Sequence, residues 1–165
     1  MNDQLKTEVQ VREIPDMTVA YVRHIGPYKG DNALFGSLIG QLMTWAGPRN
    51  LLTPDAKLLA VYHDNPEITE ADKQRVSMCL TVPEKTEVGG EIGKMVIPGG
   101  PYAMARFEIN ADEYQQAWDT VMAGWFPESG YQPTDGLSYE LYHGSPDEHP
   151  AGKHVLDICV PVEPL

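Results

Sequence analysis

A β-branched, largely apolar run, "VAYVRHI" (Val19 to Ile25), bounded by "IPD" and "GPYKG", gives way to a three- and four-residue apolar spacing at Leu34, Leu38, Leu42 and Trp45. Strand-like runs return in "KLLAVYH" and "RVSMCLTV". A β-branched run between turn signals predicts a strand, and the 3,4 spacing predicts a helix with one apolar stripe. Asp31 stands where an N-cap carboxylate would accept an unpaired first-turn amide. "AGPRN" ends the helix, because Gly and Pro close helices and open loops. "DNPE", which contains Pro66, turns the chain between the last two strands.

The same order follows a second time. Tyr102 to Ile109 reads as a strand, and Asp112 as the N-cap of a helix with Tyr114, Trp118, Met122 and Trp125 on its stripe. "LSYELYH" and "HVLDICVPV" supply two more strands. "IPDMTVAYVR" and "IPGGPYAMAR" align at an offset of 83, matching Ala20 with Ala103 and Arg23 with Arg106. "AVYHDNPE" and "ELYHGSPD" align at an offset of 80, matching Tyr62 with Tyr142, His63 with His143 and Pro66 with Pro146. Trp45 precedes Tyr62, and Trp125 precedes Tyr142, by the same 17 residues. A period found twice points to an internal duplication rather than a solenoid. The expectation is a single α+β domain over 1–165. It comprises two βαββ halves (about 9–84 and 94–163) related by a pseudo-twofold and joined by an acidic, Gly-rich connector at 85–93. Each helix would cover its own strands. The opposite strand faces of the antiparallel sheets would form a ligand groove between the halves.

Charge narrows the partners. Twelve basic against 24 acidic residues give a net charge of −12, which repels nucleic acid and anionic membranes and favours cationic partners. Neither direct nucleic-acid binding nor a membrane partner is expected. No apolar stretch is long enough for a membrane span, and "MNDQLKTEVQ" lacks the basic start and apolar run of a secretion signal, so a cytoplasmic location is expected. Cys79 and Cys159 each sit in an apolar run and read as buried, reduced thiols. There is no Gly-x-Gly-x-x-Gly, P-loop or nucleophile elbow, and His149 and His154 lack the ligand spacing of a zinc site. No cofactor, metal or catalytic residue is assigned.

One position breaks the repeat: Ala60 in the first copy is Glu140 in the second. Alternation puts Ser138, Glu140 and Tyr142 on one strand face and Tyr139 and Leu141 on the other. If that face is exposed, Glu140 is a solvated acid. If it lines the groove, an isolated carboxylate there is costly until a cation joins it, and neighbouring aromatic rings attract cations as well.

The duplicated plan, "HIGPY" after the first strand, "GGPYAMA" opening the second half and "YELYHGSP" resemble the GyrI-like small-molecule-binding family. That family includes the DNA gyrase inhibitor protein and the effector-binding domains of AraC-type and MerR-type multidrug regulators. The resemblance runs from about Val9 to Val162. It implies that Glu140 is the acid at the floor of a ligand pocket, paired with cationic aromatic compounds. Tyr21, Tyr62, Tyr142 and Met104 are pocket-wall candidates by face and symmetry, joined by Tyr28 and Trp118. With short flanks and an acidic balance, the chain reads as a stand-alone member without a helix-turn-helix reader. Two alternatives stay open: an inhibitor acting on a protein partner such as gyrase, and a hydrolase of cyclopropane-bearing compounds using Glu140. A homodimer is also open.

Overall fold

A computed structural model describes residues 5–65 and 68–165, so Pro66 lies outside the described residues. In chain order the elements are β1 (Glu8–Ile14), β2 (Met17–Ile25), α1 (Asn32–Ala46), β3 (Leu58–Tyr62), β4 (Arg75–Thr81), β5 (Gly93–Ile97) and β6 (Gly100–Ile109). They continue with α2 (Tyr114–Asp119), a π-helical segment (Thr120–Trp125), α3 (Phe126–Ser129), β7 (Tyr131–Pro133), β8 (Ser138–Tyr142) and β9 (His154–Pro164). The fold is α+β, and its strand pairs are antiparallel. Among the described residues no helix is long and apolar enough to cross a membrane.

The chain divides into two compact units. The N-terminal unit is Asp16–Pro98, and the C-terminal unit joins the residues up to Pro15 to Gly99–Leu165. In the N-terminal unit the strand order is β5-β2-β4-β3, and in the C-terminal unit it is β1-β6-β9-β8 with β7 also on β9. The registers correspond. Ala60 pairs with Met78 as Glu140 pairs with Ile158, and Arg23 pairs with Ser77 as Arg106 pairs with Asp157.

β1 precedes β2 in sequence but pairs with β6, while β5, which starts at the end of the 85–93 stretch, pairs with β2. Neither edge strand, nor the three-residue β7, is anticipated by the hydrophobic pattern. "EVQVREI" offers only Val9 and Val11 among charges, and "GKMVI" follows a glycine-rich stretch. Edge strands need only one partner and bury little, so their apolar signal is weak.

Asp31 caps α1 as expected, its carboxylate accepting from the Leu34 amide at 3.0 Å. The helix buries Leu38 and Leu42, and the chain leaves it through Asn50 in the left-handed conformation at φ 57°. The second helix differs from the sequence reading. Asp112 is not its N-cap: the helix begins one residue later, after Glu113, whose side chain accepts from the Asn110 amide at 2.7 Å. Met122 is not on the buried stripe and is 42% exposed. The π segment adds a residue to the turn, so the buried apolar positions run Ala117, Val121, Phe126, four apart and then five.

These three pack with Ala105, Phe107, Leu156, Ile158 and Val160 in the core of the C-terminal unit. Burying each large side chain there contributes roughly 1.5–3 kcal/mol. Cys79 and Cys159 are buried free thiols, and burial pushes the Cys79 thiol far above its ordinary pKa.

Candidate ligand-binding site

Glu140 sits in the middle of β8 and is 2% exposed. Its register partner Ile158 also pairs with Ala105, and both belong to the core beneath the helical segment. Directly paired residues in an antiparallel sheet share a face. Glu140 therefore lies on the face covered by its own unit's helices.

Two donors converge on it. The Trp118 indole Nε1–H donates to Oε2 at 2.6 Å, and the Tyr142 hydroxyl donates to Oε1 at 2.6 Å. Both oxygens accept, the pattern of an ionised carboxylate. Tyr142 reaches Glu140 because residues two apart in a strand share a face; Trp118 reaches it from α2. Tyr114, one helical turn before Trp118, feels the Glu140 charge, but burial is the larger reason its phenol pKa is raised well above the usual value. The Tyr114 hydroxyl lies 2.6 Å from His154 Nδ1, with the two rings edge-on at 5.5 Å. Burial lowers the His154 pKa, which favours the neutral ring. Trp118, Tyr114 and Tyr142 are partly buried against the same core.

The other sequence candidates are placed elsewhere. Met104 pairs with Cys159, which also pairs with Tyr139, so it lies on the sheet face opposite Glu140 and does not line this cluster. In the N-terminal unit Tyr62 shares the face of Ala60, and its ring is 5.6 Å from that of the buried Tyr28. Tyr21 occupies the other face. Its ring lies over Gly93, where an added Cβ would meet it at 2.5 Å, and the Arg23 guanidinium sits 4.7 Å from its centroid. Sequence reasoning assigned Tyr114 to the core and overlooked His154. The four-residue step from Tyr114 to Trp118 was the available signal, since it stacks both on one helix face.

A family model for the GyrI-like small-molecule-binding domain matches residues 7–163. The chain belongs to that family. It is 30% identical over 154 residues to a DNA gyrase inhibitor of Yersinia enterocolitica, covering 88% of this chain and 90% of that protein. It is also 30% identical over 134 residues to DNA gyrase inhibitor 2 of Dickeya dadantii, covering 78% and 80%. In structure it is similar to the EcmrR C-terminal domain, with a TM-score of 0.75 at 22% identity over 98% of this chain and all of that one. It spans 58% of the EcmrR chain solved in complex with DNA. A further structural neighbour, SAV2435, was solved bound to tetraphenylphosphonium; the TM-score is 0.63 at 11% identity, covering 94% of each chain.

Proposed function

We propose that this GyrI-like chain captures lipophilic aromatic cations at Glu140, with Trp118, Tyr142 and Tyr114 as the surrounding aromatic groups. One observation carries the reading: a carboxylate that is 2% exposed, held between an indole and a phenol in mid-strand. The indole and phenol donors hold the carboxylate as a positioned negative charge. An arriving cation is attracted by that charge, while aromatic faces bind its apolar body. The tetraphenylphosphonium bound to SAV2435 is a ligand of this class.

The test is a thermal-shift comparison of tetraphenylphosphonium, tetraphenylborate (similar shape, opposite charge) and neutral triphenylphosphine oxide. At 100 times its dissociation constant the cation adds roughly 2.7 kcal/mol of stability. An equal response to tetraphenylborate, or no response to any of the three, rejects the reading.

A second reading rests on the gyrase-inhibitor relatives and the net charge of −12: the chain acts on a basic surface of a protein partner. A gyrase supercoiling assay with and without tetraphenylphosphonium separates the two, since only this reading requires inhibition.

A further inference from the structure

The two units differ at a second matched position, and there too the C-terminal unit carries an acid that the N-terminal unit lacks. Asp157 is 6% exposed, accepts from Arg106 Nε at 2.5 Å and lies 2.8 Å from His143 Nε2. The corresponding residue in the N-terminal unit is Ser77, paired with Arg23 as Asp157 is with Arg106, and with Val61 as Asp157 is with Leu141. Arg23 Nε donates to Ser77 Oγ at 3.1 Å, and His63 Nε2 lies 2.8 Å from the same oxygen. The hydroxyl reproduces the geometry of the carboxylate but not its charge.

Arg23 is left electrostatically uncompensated. Its remaining contacts are Met95 Sδ at 3.8 Å and the Tyr21 ring, and among the described residues it makes no ion pair with a carboxylate. Nearby Arg75 is matched by Asp64, whose carboxylate takes Nε at 3.1 Å and Nη2 at 2.9 Å. Burial first, then the Arg23 and Arg75 charges, lower the His63 pKa to about 4 against the opposing pull of Asp64. A positive seat thus stands on a protein whose net charge is −12.

We propose that the exposed Arg23 guanidinium, held from behind by the buried Ser77 and flanked by His63, binds a small carboxylate, which supplies from outside the charge that Asp157 supplies from within the other unit. A planar carboxylate matches the edge of a guanidinium. Arg23 is exposed at its tip yet held by Ser77 and the Tyr21 face, so little side-chain freedom is lost on binding. This site is independent of the Glu140 reading and stands or falls separately.

The experiment titrates acetate into the full chain at constant ionic strength, with chloride as the counter-ion, while NMR follows the His63 ring and Arg23 Hε. The expected result is saturable shifts of both signals, with the His63 titration midpoint rising by about one unit or more. Arg23→Gln weakens binding at least tenfold, and Ser77→Asp abolishes the response by filling the site. Should Ser77→Asp fail to fold, Arg23→Gln decides alone. Shifts that do not saturate, or that persist in Arg23→Gln, overturn the proposal. Saturation by inorganic phosphate but not by acetate overturns the assignment of a carboxylate.

Discussion

Trp118 and Glu140 are joined by a 2.6 Å hydrogen bond from the indole Nε1–H to Oε2, linking α2 to the centre of β8. The bond orients the acid from the helix side, while Tyr142 holds the other oxygen from within the strand. Any ligand that reaches this carboxylate meets a group already positioned by two aromatic side chains.

Glu140→Gln keeps the shape and removes the charge. The new amide can still accept from Trp118 and donate to the Tyr142 oxygen, so the fold should lose little stability. Tetraphenylphosphonium should lose about 1.5–3 kcal/mol of affinity, roughly tenfold to 150-fold in dissociation constant. Triphenylphosphine oxide should bind as before. Glu108→Gln serves as the control: that side chain is 58% exposed, pairs with His149 at 2.7 Å, and should leave both ligands unaffected. Isothermal titration of the two variants reads the difference, and equal losses for both ligands would show that Glu140 is not a charge partner.

Trp118→Phe deletes the donor to Oε2 and leaves a buried acceptor under-satisfied, so it should cost about 1–3 kcal/mol in urea unfolding. The same substitution made in Glu140→Gln should cost less by at least about 0.5 kcal/mol, because the charge no longer needs the donor. Additive losses would mean that the 2.6 Å contact carries no coupling energy.

Acidification should weaken the fold between pH 6.5 and about 4. The folded-state pKa of His63 is lowered from 6.5 to about 4, mainly by burial, and that of His154 is lowered by burial as well. Folding therefore favours the neutral rings. Their contribution is full above 6.5 and is lost as pH falls toward the folded values. Asp64, bonded by Arg75, and Asp157, bonded by Arg106 and His143, have pKa values held below 3.8, so their contributions persist until pH falls lower still. Melting temperatures measured across pH 7 to 4 in carboxylate-free buffers should decline, and His63→Gln should flatten part of the slope. An unchanged slope in that variant would remove His63 as a cause.

Much of the fold could be read from the hydrophobic pattern. The central strands β2, β4, β6 and β9 and the capped helix α1 are carried by β-branched apolar runs, a 3,4 stripe and the Asp31 cap. The edge strands β1 and β5 were missed because a strand with one neighbour needs few apolar residues. Glu140 and Tyr142 could be paired in advance by a two-residue strand step. Trp118 could only be suspected, since its distance from Glu140 depends on how α2 packs on β8. The face Met104 takes could not be read from symmetry between the halves; its pairing with Cys159 puts it opposite Glu140.

The order of most elements, the acidic charge and the Ala60/Glu140 exchange were legible in the sequence, whereas the Ser77/Asp157 match emerged from the strand registers. The first three follow from local chemistry, because side-chain period and residue type are written along the chain. The tertiary structure alone decided that β1 pairs with β6, that Glu140 faces the helix, and that a π segment shifts the buried stripe onto Phe126. Each depends on long-range register or packing, where a slip of one residue turns every side chain to the other face, and nothing in a local pattern specifies the partner.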